Sequence, residues 1–462
     1  MNRTKRLYVL LGVLLICCVL TLGVSKYEER KEKIRNSDEI IMELKSEDVT
    51  SVSWECGSGT FAFHKDETWL YDDDENFPVN EEKIGGLLEN FESLGVSFII
   101  EDAEDLSQYG LDDPLCKIKI AAREENYEIS LGNYSEMDEE RYVSVGDGNV
   151  YLVQEDPLNA FDIELSEMIQ HDEIPKFDSV TEIEFVGSEN YKAVYKEENK
   201  VTYSEEDVFF AEEDGEEIPL DTENIDRYME VISELNLTDY VSYNVTDDEL
   251  KAYGLDKPDL DVSFKYRVSD DESGEEQEGT AVLHISRGPK EKEEDTDQEE
   301  EITAYARIGE SKIIYKISGL DYEDLMEASC SDLRHQEVIW ADFDDIIKAE
   351  ITLEDKEYEL TVKEEGKENV WYYQEKEINT DELRDALNSL SVSEFTEKEP
   401  AGKVEISLTL QIDNENQPEV RIELYRYDGN NCLAVVDGNP LSLVDRSYAV
   451  DLIEAVNAIV LN

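Results

Sequence analysis

Basic residues are scarce in this sequence: 42 Lys and Arg stand against 116 Asp and Glu, a formal net charge of −74. A surface of that sign repels phosphate backbones and anionic headgroups, which excludes nucleic acid as a partner. Histidine is scarcer still. The four residues, at positions 64, 171, 284 and 335, share no HExxH spacing and no local cluster, so no metal site is expected. His284 alternates with Leu283 and Ile285 and reads as a partly solvated strand position. Among the six Cys there is no CxxC pair. Without paired spacing neither a zinc site nor a redox motif is supported; isolated structural thiols are expected, with disulfides among Cys56, Cys116, Cys330 and Cys432 left open. The sequence also lacks a GxSxG elbow, a Walker loop, a dinucleotide glycine fingerprint and a Ser-x-x-Lys motif. No catalytic residue, cofactor site or metal ligand is assigned. A carboxylate pair for hydrolysis has no sequence spacing of its own and stays open as an alternative.

Apolar residues nevertheless make up 40% of the chain and aromatics 9%, including 25 Tyr, enough to build packed cores. A chain of 462 residues exceeds one ordinary core, which implies a body of several domains. The run from Leu7 to Val24 carries no charge and follows Arg3, Lys5 and Arg6. At about 1.5 Å per residue it spans roughly the hydrocarbon thickness of a bilayer. A cleaved signal peptide shares these flanks, but nothing after Leu20 makes a convincing small-x-small cleavage site, and Cys17 follows Ile16 rather than the small residue that lipidation requires. The expected anchor is therefore an uncleaved transmembrane helix, residues 7–24. Residues 1–6 form a cytoplasmic tail, and the body lies outside the cell on the far side of the membrane. Residues 25–47 interleave Lys and Arg with Glu at helical spacing and read as a solvated helical stalk.

Self-similarity organises the rest. Tyr109-Gly110-Leu111-Asp112-Asp113-Pro114 recurs as Tyr253-Gly254-Leu255-Asp256-Lys257-Pro258, each after an acidic, helix-like lead-in and before alternating strand residues. Upstream, Val49, Val52 and Trp54 share their spacing with Val180, Ile183 and Phe185 and with Ile346, Ala349 and Ile351. Alternating runs and aromatic segments follow in each case and read as a strand meander. Asn80, Asp221 and Asn379 each stand four residues before an apolar position (Ile84, Ile225, Leu383) and read as helix N-caps. Each unit closes with a strand and then a helix. The expected fold class is α+β: an N-terminal transmembrane helix followed by three tandem repeats of an antiparallel sheet packed with helices, at 48–175, 176–340 and 341–462.

The hexapeptide itself reads as architecture: Gly permits a left-handed turn and Pro fixes the entry to the next strand. The third unit lacks it and has only Glu399-Pro400 near that place. The acidic stretch near 269–301 flanks the strand AVLHI and is expected to be a disordered loop, since it has little apolar surface to bury. Within it, Asp295 to Glu299 resembles a calcium loop only superficially, without the glycine or the helix pair.

A basic start, a membrane run, a Trp-containing meander, a capped helix and an acidic lead-in to Tyr109–Pro114 together resemble the bacterial family of uncharacterised proteins called DUF4340 over most of residues 48–340. The third unit is a more divergent match. The resemblance implies an envelope protein encoded beside ABC-transporter permease and ATPase components related to gliding-motility systems, hence an accessory extracytoplasmic subunit; it carries over no catalytic residue. The expected function is a non-enzymatic scaffold. Cation-dependent adhesion or wall contact by the acidic surface is the alternative.

Overall fold

The computed structural model describes residues 33–36 and 38–461, apart from 124, 199, 205, 214–215, 270–274, 290–301 and 366–367. The expected membrane helix, the cytoplasmic tail, the start of the stalk and most of the acidic loop, including Asp295 to Glu299, lie outside the described residues. Among those described, no helix is long and apolar enough to cross a membrane. The chain divides into two compact units, Met1–His171 and Asp172–Asn462.

The first unit holds one sheet built from β1 (Lys33–Asn36), β2 (Ile40–Met42), β3 (Val49–Cys56), β4 (Gly59–Lys65), β5 (Trp69–Tyr71), β6 (Leu94–Glu101), β7 (Cys116–Ala122), β8 (Asn126–Ser135), β9 (Glu140–Ser144) and β10 (Val150–Val153). Its helices are α1 (Glu81–Glu89) and the short α2 (Leu158–Phe161). The second unit holds two sheets. One contains β11 (Ser179–Val186), β12 (Asn190–Tyr195), β13 (Phe209–Glu213), β14 (Glu216–Pro219), β15 (Tyr240–Ser242), β16 (Leu260–Ser269), β17 (Glu276–Arg287), β18 (Ala304–Ile308) and β19 (Ile314–Ile317), with helices α3 (Thr222–Ser233), α4 (Asp247–Ala252) and α5 (Gly319–Met326). The other contains β20 (Ile346–Leu353), β21 (Lys356–Glu365), β22 (Glu368–Tyr373), β23 (Lys376–Glu377), β24 (Glu394–Phe395), β25 (Val404–Ile412), β26 (Glu419–Arg426), β27 (Asn431–Val436) and β28 (Asn439–Asp445), with α6 (Asp381–Asn388) and α7 (Arg446–Val460).

The three sheets share one path. In the second the order is β14-β13-β12-β11-β16-β17-β18-β19-β15, and the third repeats it as β23-β22-β21-β20-β25-β26-β27-β28-β24. A meander runs outward from its first strand, a capped helix carries the chain across to the far edge, and a second meander fills the space between. The first sheet, β1-β6-β10-β9-β8-β7-β3-β4-β5, follows the same route with β6 at the place of β15 and β24, and adds β1 beyond it. All three therefore have α+β architecture with an antiparallel sheet.

Register agrees as well as order. Trp54 faces Ile118, Phe185 faces Val262 and Ile351 faces Leu408 across the central strand pair. In each pair the register slips at the same place, after Val49, Val180 and Ile346. A bulge at that point sharpens local twist and bends the strand over the helix side. The apolar stripes of the helices fall on those faces: Ile84, Leu87 and Leu88 in α1, Ile225, Tyr228 and Ile232 in α3, and Leu383 and Leu387 in α6 are all buried.

Two expectations are corrected here. Residues expected in a helical stalk instead form strands: β1 pairs with Phe98–Glu101 in β6, and β2 pairs with its beginning. Charge pairs at helical spacing are worth only tenths of a kcal/mol, less than the backbone ladder and the burial of Met42 and Leu44 against the sheet. The N-caps hold for Asn80, whose side chain accepts from the Lys83 N–H, and for Asp221, which accepts from Glu223. In the third sheet the N-cap position is Thr380, one residue later than expected, while Asn379 Oδ1 still accepts from the Asp381 N–H at 2.8 Å.

Candidate functional site

The repeated hexapeptide ends two helical turns in the same way. In the first copy Asp105 caps a 3-10 turn at Leu106–Tyr109, and Gly110 follows at φ 69°. The Gly110 N–H donates to the Ser107 carbonyl and the Leu111 N–H to that of Leu106, at 3.2 and 3.0 Å. In the second, Thr246 and Glu249 form a capping box for α4, and Gly254 stands at φ 79°. Its N–H donates to the Lys251 carbonyl and that of Leu255 to Leu250, at 3.3 and 2.8 Å. This is the Schellman pattern, which satisfies the last helical carbonyls by placing a left-handed residue just past the helix.

The side chains repeat too. Tyr109 meets Tyr142 on β9 with ring centroids 4.9 Å apart, and Tyr253 meets Tyr305 on β18 at 4.7 Å. Leu111 and Leu255 are buried in small apolar clusters beside these rings. Asp112 and Asp256 are exposed, and Pro114 and Pro258 are half-buried at the approach to β7 and β16. The structure thus brings each hexapeptide together within itself as a turn.

A different constellation lies inside the second unit, where the chain passes from its first sheet to its second. His335 Nε2 lies 2.8 Å from Asp207 Oδ1, and its Nδ1 lies 3.8 Å from Asp221 Oδ2. The ring stacks on Trp340 at 4.3 Å and 8°. The Trp340 indole N–H donates to Asp207 Oδ2 at 2.9 Å, and its backbone N–H donates to the Tyr203 hydroxyl at 3.2 Å. Asn414, from the loop between β25 and β26, donates to the Tyr203 carbonyl at 2.8 Å. Tyr203 and Asp207 are buried, and burial pushes the Tyr203 phenol well above its ordinary range. Beside them opens a cavity of about 490 Å³ whose lining includes Glu206, Glu223, Glu337 and Phe343.

Chemically this arrangement is a clamp. Both oxygens of Asp207 are engaged and each nitrogen of His335 faces a carboxylate, so the imidazole links β13's approach, the cap of α3 and the segment that enters the last sheet. Backbone bonds continue the link: the Val338 N–H donates to the Leu390 carbonyl at 2.9 Å and that of Val392 to Gln336 at 2.7 Å. Sequence reading saw His335 as an isolated residue because its partner Asp207 stands 128 positions away. Two of the other histidines follow the same habit. His284 Nδ1 lies 2.5 Å from Asp261 across the β16–β17 pair, and His64 Nδ1 lies 2.6 Å from Asp72, a hydrogen bond that raises the His64 pKa. Among the described residues, no group of three or more His, Cys, Asp or Glu is arranged to hold a metal ion.

The cysteines bring a further correction. Cys56 and Cys116 form a disulfide with Cα atoms 4.3 Å apart, rather than standing as isolated thiols, while Cys432 is a buried free thiol. Local spacing gave no hint of it because the partners lie 60 residues apart. The alignment of repeats carried the signal: Cys56 ends β3 and Cys116 begins β7, strands that pair antiparallel. Burial first, then the nearby Glu405 carboxylate, pushes the Cys432 thiol up to about 11.

No curated protein and no solved structure matches the chain. The stretch from Trp69 in the first sheet to the last residue of the second hexapeptide, residues 69–258, does match the model of the family described as Domain of unknown function (DUF4340).

Proposed function

We propose that this chain is a non-enzymatic scaffold, tethered to the membrane by residues 7–24 with its body outside the cytoplasm, and that it serves as an accessory subunit holding or spacing components of an ABC-transporter-like assembly. One observation carries the reading: the string most strongly repeated in the sequence is consumed in architecture, as a Schellman turn with a tyrosine pair at each occurrence. Repetition of this kind multiplies surface without multiplying chemistry. The Cys56–Cys116 disulfide supports an oxidising compartment for the body. The acid pair that converges on a cavity, Asp207 and Asp221, is engaged with His335 and Trp340, which favours a structural over a hydrolytic role. Tethering matters energetically, because confinement to a membrane raises effective concentration and lets weak contacts hold an assembly. The family resemblance implies transporter neighbours as the partners.

The test is purification of the tagged chain in mild detergent with identification of what accompanies it. A permease or ATPase component is expected at fixed stoichiometry. If neither co-purifies even after cross-linking, and deletion leaves neighbouring transport intact, the accessory-subunit reading fails. Cation-dependent adhesion is the second reading, favoured by the charge of −74; it predicts calcium-dependent attachment and no stoichiometric membrane partner.

A further inference from the structure

The three sheets differ in how the groove at the start of their crossing helix is filled. In the first, the chain leaving α2 turns back through Leu165–Met168, and Met168 presents its carbonyl to the N–H of Asn80, the cap of α1, at 2.8 Å. Ile169 bridges Val79, the Gln170 N–H donates to the Pro78 carbonyl at 2.7 Å, and Met168 and Ile169 are buried. In the second, the chain leaving α5 does the same. Leu333 is buried and offers its carbonyl to the N–H of Asp221, the cap of α3, at 2.9 Å. Each of these two grooves thus receives a short segment, extended past Met168 in the first and the end of a turn at Leu333 in the second, that supplies one carbonyl and at least one large aliphatic side chain.

In the third sheet the same place is a groove of about 760 Å³, between the β22–β23 hairpin, the first turn of α6 and the last turn of α7. Asn379, the counterpart of Asn80 and Asp221, lines it, and among the described residues no carbonyl is set against its N–H. Its floor and wall include Ile378, Leu383, Ala458, Ile459 and the exposed Leu461. Its charged lining is Glu377, Asp381 and Glu382 against a single Lys376.

We propose that this groove binds an extended peptide segment of a partner protein, laid as residues 168–170 are laid in the first sheet, with one aliphatic side chain and one carbonyl placed as those of Leu333 are in the second. A carbonyl of the segment would accept from Asn379, a Leu, Ile or Met would enter between α6 and α7, and a neighbouring Lys or Arg would meet the acidic lining. The chain's own filling of two equivalent grooves defines the shape of the occupant, and the excess of carboxylates defines its charge. Pairing through the backbone supplies affinity and the pocketed side chain supplies selectivity. This deepens the scaffold reading by naming the kind of segment that is held, and it rests on that reading.

The experiment uses the full-length chain in mild detergent and fluorescence anisotropy. One probe is a labelled peptide with the sequence of Ala328 to Gln336, serine replacing its cysteine; the others are a set of nonapeptides with a central Leu, Ile or Met followed by Lys or Arg. Saturable binding is expected for members of this set. It should weaken at least tenfold on Ala458→Trp, which fills the groove from an exposed helix position, and on Leu461→Asp. Replacing the central aliphatic residue by Asp should abolish it. Absence of binding by every peptide at concentrations up to about 1 mM, the weak end of useful affinity, overturns the proposal, as does binding that ignores both substitutions. A concentration-dependent dimer of the chain that Ala458→Trp dissolves would make the occupant a second copy and also overturn it. Co-purification of transporter components tests the scaffold reading separately, so the groove can fail while that reading stands.

Discussion

At the scale of single residues, the two copies of the hexapeptide ask different things of the same glycine. Gly110 and Gly254 both adopt left-handed backbone angles, which an L-residue enters at a cost of roughly 1–2 kcal/mol. A Cβ on Gly254 would lie 3.3 Å from the Ser286 side chain, tight but close to ordinary contact. On Gly110 it would lie 2.5 Å from Asn133 Oδ1, so that side chain would have to move as well. Gly254→Ala should therefore destabilise by about 1–2 kcal/mol and Gly110→Ala by more, as read from urea unfolding of the two variants. A neutral Gly110→Ala would contradict the left-handed turn in the first sheet. The glycine and proline of the hexapeptide were legible in the sequence because backbone restriction is a property of the residue itself. The tyrosine pairs were not, because Tyr142 and Tyr305 come from strands whose place beside the turn is fixed only by sheet order.

At the scale of elements, one cross-strand position is solved in three ways. The pair that Cys56 and Cys116 occupy in the first sheet falls to Gly187 and Leu260 in the second, where a Cβ on the glycine would lie 3.3 Å from the leucine side chain. In the third it falls to Leu353 opposite Ile406, both buried. The disulfide thus takes a place that apolar packing fills elsewhere, and it closes a long loop. On the chain-entropy model a separation of 60 residues corresponds to about 4 kcal/mol of stabilisation. Replacing both cysteines by alanine should speed hydrogen exchange across β3 and β7 and leave β20 and β25 unchanged; equal acceleration in both places would show that the bond is not a local brace. The repeat was legible in the sequence because apolar alternation, bulge position and helix caps are short-range signals that recur at aligned positions. Long-range closures were not: the disulfide, the His335–Asp207 clamp and the pairing of β1 and β2 with β6 each join segments tens of residues apart. The stretch before β3 misled for a physical reason. Its Lys, Arg and Glu spacing satisfies a helix, while the edge of β6, invisible in a local window, offers a backbone ladder instead.

At the scale of the whole molecule, charge sets the conditions under which these sheets hold. Two of the lysines are placed between carboxylates on strand faces: Lys192 lies 3.1 Å from Glu182 and 3.2 Å from Glu184, and Lys348 lies 2.6 Å from Glu350 and 2.9 Å from Glu359. Such exposed pairs are individually weak. With 116 acidic residues against 42 basic ones, most carboxylates have no cation to meet, and their mutual repulsion opposes the compact state. Screening relieves that repulsion, because the Debye length falls from about 30 Å at 0.01 M salt to about 8 Å at 0.15 M. The melting temperature should accordingly rise with sodium chloride over that range. Divalent ions should raise it further through a denser ion atmosphere, and here the scaffold and adhesion readings part. A diffuse atmosphere does not distinguish calcium from magnesium, whereas a built site of several oxygens does, since the two ions differ in radius and preferred coordination. Melting curves in calcium and magnesium chloride at equal ionic strength are expected to superimpose for a scaffold whose acidity serves solvation. A calcium-specific rise, saturating with concentration, would instead place a coordinating site in the chain, and the residues between 290 and 301 would be the first to mutate.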